Sequence, residues 1–305
     1  MSVAVLCGGV GAARLLSGLV HVVDPGDITA LVNVGDDTVL HGLHISPDID
    51  TIIYTLAGAI DPERGWGLVD ETWNAMAQFG RLGNPTWFNL GDRDLATHIV
   101  RSERLARGDA LSEITDHLAR SWELRCGILP ITDDRLRTMV TVADGEISFQ
   151  EYFVGRQHDV AVSQVRFDGA EETVPAPGVL DALREAQHVV IAPSNPIVSI
   201  DPLLAVPGVR QAVENRRGDT VAVSPIVGGL AIKGPAANML DELGHEASVV
   251  GIARLYAPLA ATLVIDEADA DRAGDVEAEG MRCVVTDTIM RDVDRATALA
   301  RTVLA

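Results

Sequence analysis

Apolar residues fall along the chain in short runs closed by glycine- and aspartate-rich turns, and these runs alternate with stretches of helical period. Val3 to Cys7 is the first run; Gly8-Gly9-Val10-Gly11 follows, and a helical pattern occupies Ala12 to Val20. Strand, tight turn and helix in that order predict the opening of a doubly wound sheet. Ile28 to Val34 supplies the next strand and ends at Gly35-Asp36-Asp37. Thr51 to Ile60 predicts a helix behind Ser46-Pro47-Asp48-Ile49, with Asp50 as its cap.

Residues 61 to 125 then change character. They are rich in helical pattern, including a helix from Leu95 to Arg104, and hold all four tryptophans, Trp66, Trp73, Trp87 and Trp122. That predicts a helical insertion serving as a lid rather than a further βα unit. Met139 to Ala143 and Ile147 to Phe153, joined by Asp144-Gly145, predict a hairpin, with Val160 to Phe167 as an added antiparallel strand. Strand patterns return at His188 to Ala192, Thr220 to Val223, Ala261 to Ile265 and Arg282 to Thr286, and a closing helix spans Asp292 to Leu304. The expected architecture is α/β: a doubly wound, mostly parallel, Rossmann-like sheet formed by residues 1–60 and 138–305, with 61–137 as a helical insertion or cap in one integrated unit.

Composition narrows the partners. At 305 residues and 47% hydrophobic content the chain can bury a large core. A formal charge of -20 excludes nucleic acid and anionic membranes as partners, because both polyanions are repelled at long range. Cys7, Cys126 and Cys283 are too few and scattered for a disulfide framework, which fits a reduced, cytoplasmic setting. The N-terminus carries no basic leader, and no stretch approaches the ~20 apolar residues of a membrane span. Lys233 is the only lysine, so nearly all positive charge is the forked guanidinium suited to phosphates and carboxylates.

Candidate chemistry gathers where strands end, because helix N-termini there present unpaired amides and partial positive charge. Gly9 and Gly11 let the backbone approach a phosphate, with Arg14 one turn further on; a plain tight turn is the alternative, and no Walker A sequence follows. Asp36 and Asp37 stand where a dinucleotide enzyme places its ribose carboxylate, although the three-glycine fingerprint is incomplete. With Asp48 and Asp50 nearby they suit Mg²⁺, which takes a few carboxylates, waters and substrate phosphates; turn-forming and capping are the competing roles. Ser194 and Asn195, between Pro193 and Pro196, suit a base edge or ribose. Ser224-Pro225 and Gly228-Gly229 open a second backbone nest, and Lys233 follows either where a lysine can meet a phosphate or as a lone exposed lysine. Residues 91–98, Gly-Asp-Arg-Asp-Leu-Ala-Thr-His, crowd Asp92, Arg93, Asp94 and His98 at a helix start, either as caps and solvated side chains or as the remainder of the site.

These motifs, in this order, resemble the 2-phospho-L-lactate transferase family of coenzyme F420 biosynthesis: Gly-Gly-Val-Gly (8–11), Asn-Val-Gly-Asp-Asp (33–37), Ser-Pro-Asp-Ile-Asp-Thr (46–51), 91–98, Phe-Gln-Glu (149–151), Pro-Ser-Asn-Pro (193–196) and Ser-Pro-Ile (224–226). Asp-Pro-Glu-Arg-Gly-Trp-Gly (61–67) and Glu-Thr-Trp-Asn (71–74) are most similar to the actinobacterial branch, described as phosphoenolpyruvate transferase. The resemblance implies Mg²⁺-dependent transfer of a phosphoenolpyruvyl or phospholactyl group from a guanosine diphosphate conjugate to the ribityl hydroxyl of the deazaflavin precursor Fo, releasing GMP, by a homodimer. It implies that Asp50 contacts Fo, that Asp36 and Asp37 lie by the metal and diphosphate, and that 193–196 and the loop after Ser224 hold the nucleotide. Asn89 departs from the pattern, standing where archaeal members have a basic residue. On this basis Asp50, Asp36 and Arg93 are the expected catalytic residues and Asp36 and Asp37 the expected metal ligands. Gly9, Gly11, Arg14, Asp37, Asp48, Asp92, His98, Ser194, Asn195 and Ser224 are expected to bind substrate. A related family of nucleotide-sugar-binding regulatory proteins, which binds without transfer, shares the glycine turn and sheet and is the alternative.

Overall fold

The computed structural model of the chain describes residues 1–231 and 234–305. Val3–Cys7 (β1) is buried throughout, as a parallel strand covered on both faces must be. It runs through Gly8 into the helix Gly9–Leu19 (α1), and Ile28–Val32 (β2) follows. A hairpin of Thr38–Leu40 (β3) and Leu43–Ile45 (β4) precedes the helix Pro47–Leu56 (α2). Next come Asn74–Arg81 (α3), Asp94–Arg107 (α4), Leu111–Ser121 (α5) and the strand Gly127–Pro130 (β5). Arg137–Val142 (β6), Gly145–Ser148 (β7) and Gln164–Asp168 (β8) form a separate antiparallel sheet with β6 in the middle. His188–Ile191 (β9), Thr220–Val223 (β10), the small pair Ile226–Val227 (β11) and Leu230–Ala231 (β12), Thr262–Asp266 (β13) and Arg282–Thr286 (β14) lead to a C-terminal helix, Val293–Val303.

The central sheet has seven strands in the order β14-β13-β10-β9-β1-β2-β5, every neighbouring pair parallel, with helices on both sides. The expected doubly wound α/β architecture is therefore present. Strand order reverses between β1 and β9, and the carboxyl ends of these two strands diverge into a crevice, the place where open α/β sheets bind ligands. One continuous core fills both faces of the sheet. A second, smaller cluster of Ile45, Met76, Leu90 and Leu95, with Trp73, Phe79 and Phe88 against it, underlies the segment that roofs the crevice. No helix among the described residues is long and apolar enough to cross a membrane.

Several boundaries differ from those the pattern predicts, among them the added antiparallel strand, which begins at Gln164 rather than Val160, and three differences have a clear physical reason. Residues 127–130, placed in the insertion by sequence, form edge strand β5 beside β2; four residues ending in Pro130 give little pattern, and an edge is where a proline fits a sheet. The helix expected from Thr51 begins instead at Pro47, a residue pre-set for a first turn, so Asp48 and Asp50 sit inside that turn rather than ahead of it. The strand expected to reach Phe153 stops at Ser148, whose hydroxyl accepts the Glu151 N–H, and the backbone turns helical over Glu151–Gly155. Phe149 and Phe153 then stack one turn apart, with centroids 5.5 Å apart, instead of alternating.

Candidate active site

A cavity of about 560 Å³ opens at the strand-order reversal, a volume ordinary for small-molecule sites. Its back wall is the turn after β1. A Cβ at Gly11 would lie 2.2 Å from the Pro193 carbonyl oxygen, and one at Gly8 2.7 Å from Asp48 Oδ2, so both glycines serve close approach between loops. The Gly9 N–H, expected for a phosphate, donates to Asp48 Oδ1 at 2.8 Å. Ser194 Oγ donates to the Gly8 carbonyl (2.8 Å) and braces the loop after β9 against this turn. Asn195 uses Oδ1 to accept the Ile197 and Val198 N–H groups, while its Nδ2 is buried with no partner among the described residues. Ser224 closes its own turn, exchanging hydrogen bonds with the backbone of Ile226. Arg14 lines the cavity, reaches the Met290 carbonyl at 3.4 Å, and makes no ion pair among the described residues.

The floor is acidic. Asp36, Asp48 and Asp50 are 7%, 6% and 4% exposed and all line the cavity. Burial, reinforced by the Asp48 charge, pushes the Asp36 carboxyl well above the usual range, and Asp36 Oδ1 has no partner among the described residues. Burial also raises Asp48 to about 6, against the pull of hydrogen bonds from Asn33 and the Gly9 amide. Asp37, the other half of the expected metal pair, turns away: its Oδ2 accepts the Ser46 hydroxyl (2.7 Å), lies 2.8 Å from His44 Nε2, and faces a second cavity beside Arg137. Gln150 donates to the Asp36 carbonyl at 3.1 Å, tying the 149–151 motif to the floor.

Beyond Asp50 the wall continues into α4. Arg101, wholly buried, donates from both terminal nitrogens to the Asp50 carboxylate, with Nη1 3.0 Å from Oδ2. The same Nη1 lies 3.3 Å from His98 Nδ1, and His98 Nε2 lies 3.2 Å from Asp94 Oδ2. Tyr54 donates to Asp94 Oδ1 at 2.6 Å. Burial raises the Asp50 carboxyl, with Arg101 and His98 opposing the shift. Asp50, Asp94 and His98 bring ligand-type atoms within 4.8 Å of one another, but the guanidinium already supplies the cation there, so the group is an ion-pair network rather than a metal cage.

The opposite wall is aromatic: Trp66, Trp87, Phe88, Phe149 and Phe153. Arg64 stands over Trp66 and Trp73, 5.5 and 5.3 Å from the ring centres, and pairs with Asp61 at 2.8 Å.

Of the expected site residues, Gly9, Gly11, Arg14, Asp36, Asp48, Asp50, His98, Ser194, Asn195 and Ser224 meet in this cavity, as do Asn89 and Asp94. Asp37, Asp92 and Arg93 do not line it. Asp92 accepts the Asn74 and Ala75 N–H groups, and Arg93 donates to the Val69 carbonyl. Lys233 lies outside the described residues. Arg101, Tyr54 and Arg64 were not anticipated; for Arg101 the signal was available, since Asp94, His98 and Arg101 recur at i, i+4 and i+7 and so share one face of α4.

A seven-stranded doubly wound sheet with an acid-floored, partly aromatic crevice at its switch point defines an α/β protein with a small-molecule site. The family model of the 2-phospho-L-lactate transferase CofD matches residues 3–304, and the chain belongs to that family, a transferase family of coenzyme F420 biosynthesis. Similar proteins include the phosphoenolpyruvate transferases of Kitasatospora aureofaciens, 43% identical over 100% of this chain and 97% of the relative, and of Streptomyces griseus, 44% identical over 100% and 98%. A UPF0052-family protein of Bacillus halodurans, known from its crystal structure, superposes with a TM-score of 0.64 at 15% identity over 100% of this chain and 98% of its own, a likeness of fold alone.

Proposed function

We propose that this protein transfers a phosphoenolpyruvyl or 2-phospholactyl group from a guanosine diphosphate conjugate to the terminal ribityl hydroxyl of Fo, releasing GMP. The acceptor oxygen bonds to the phosphorus carrying the three-carbon acid, the P–O bond to GMP breaks, and the hydroxyl proton is lost. The observation that carries this reading is the pairing, in one cavity, of aromatic side chains suited to a planar deazaflavin with Asn195, whose Nδ2 has no partner among the described residues, and Arg14, which makes no ion pair among them. In-line displacement at a diphosphate asks mainly for positioning and charge neutralisation. Asp50, at the junction of wall and floor, is suited to accept a hydrogen bond from the attacking hydroxyl.

Mg²⁺ fits Asp36 and Asp48. Both carboxylates are buried and raised by burial, and among the described residues Asp36 Oδ1 has no partner and no ion pair involves either carboxylate. Hard oxygen donors of this kind suit a cation that keeps waters and takes substrate phosphates. When bound, it would neutralise charge developing on the diphosphate. Asp37, hydrogen-bonded to Ser46 and His44, supports the loop from behind.

The test is an endpoint assay by mass spectrometry with Fo, Mg²⁺ and each guanosine diphosphate conjugate offered separately. GMP with a phosphodiester-linked deazaflavin product is expected, and the preferred donor identifies the acid. Absence of product from both donors, in protein that binds GDP, would replace this reading with the binding-only one.

A further inference from the structure

We infer that Arg101 is a positioning residue for the transfer. It locks the Asp50 carboxylate, through a buried two-armed contact, in the orientation that receives the acceptor hydroxyl. The inference rests on the proposed role of Asp50. Arg101 is the largest wholly buried side chain among the described residues, is absent from the cavity lining, and makes its hydrogen bonds there to Asp50 and His98. Asp50 therefore has two sides: one turned to the cavity, the other held by the guanidinium.

The contact is poorly explained by stability. An apolar pair of similar volume is commonly as stable as a buried ion pair or more so, and Arg101 Nε is buried without a partner, a further cost. What the pair supplies is direction. A guanidinium fork fixes the plane of a carboxylate as an ammonium cannot. His98 confines the fork from a second side, with its Nε2 3.2 Å from Asp94, which Tyr54 holds. Asp94, His98 and Arg101 all ride on α4, so the placement of this one helix sets the angle of Asp50 on α2.

The experiment compares wild type, Arg101→Lys, Asp50→Asn and Asp50→Asn/Arg101→Met in the full chain. It records kcat and KM for both substrates, calorimetric GDP affinity and Tm. Arg101→Lys keeps the charge and loses the fork; the double variant removes both charges, so neither strands a buried ion. Expected are a kcat for Arg101→Lys lower by about tenfold or more, with donor KM and GDP affinity within about twofold of wild type, and a double variant no more than about threefold slower than Asp50→Asn alone. A folded Arg101→Lys with wild-type kcat overturns the inference, as do losses that multiply in the double variant or a donor KM that rises in step. If wild type itself makes no product, the transfer reading fails and takes this inference with it; an unaffected Arg101→Lys beside an active wild type removes this inference alone.

Discussion

Glu71 and Asp92 each cap the helix that the other precedes. The Glu71 carboxylate, just ahead of α3, accepts the Arg93 and Asp94 N–H groups at the start of α4 (2.7 and 2.9 Å). Asp92, just ahead of α4, accepts the Asn74 and Ala75 N–H groups at the start of α3 (3.0 and 2.9 Å). The exchange ties the roof of the crevice, which rests on only a small apolar cluster, to the helix that carries Asp94, His98 and Arg101. Glu71→Ala removes an N-cap, a loss of about 1 kcal/mol. Its larger effect is expected on the acceptor: KM for Fo rises several-fold while KM for the donor holds, and amide exchange quickens across 61–93. Unchanged exchange in that segment would show that the two caps are independent local features.

The crowding of charged residues at 91–98 was legible as unusual, but its division of labour was not. Asp92 and Arg93 spend their polar groups on residues 69–75, about twenty positions away, while Asp94 and His98 face the cavity. Nothing in local spacing separates a carboxylate that caps a distant helix from one that meets a ligand. β1, β9, β10, β13 and β14 were readable because each is an apolar run closed by turn residues; β5 was not, being short and at an edge. The pairing of Arg101 with Asp50 joins residues 51 positions apart, a distance that only the packing of α4 on α2 closes.

Asp48 gives the fold a pH dependence with a definite sign. Its carboxyl is raised to about 6 in the folded protein, so the folded state holds this proton more tightly than the unfolded chain does. Its destabilising effect is complete above about pH 6 and fades as pH falls to the unfolded-chain value of about 4, below which both states are protonated. In chelator, the stability of wild type relative to Asp48→Asn should therefore shift in favour of wild type by up to about 3 kcal/mol between pH 7.5 and 4. Urea unfolding of both proteins across that range measures it, and parallel curves would mean that the carboxylate is not strained by burial.

Gly11 tests whether the glycine turn serves packing. Its α-carbon faces the Pro193 carbonyl so closely that an added methyl group would meet it at 2.2 Å. Backbone lies on both sides, so neither can swing aside. Gly11→Ala should cost about 1–3 kcal/mol and should displace the 193–195 loop, weakening GDP binding as well. A variant with wild-type Tm and reduced GDP affinity would point instead to a direct amide contact with phosphate.

Arg14 separates the two ends of the cavity. It has no carboxylate partner among the described residues and only a long contact to the Met290 carbonyl, so removing its charge leaves no buried ion behind. Arg14→Gln should leave Tm within a degree or two of wild type. If Arg14 meets the diphosphate, the loss of one charge-assisted contact raises the donor KM about tenfold or more, and the donor KM becomes less sensitive to salt. The KM for Fo should stay where it is, because none of the aromatic residues that line the cavity belongs to α1. Equal rises in both KM values would place Arg14 among the groups that hold the cavity open rather than those that grip the donor.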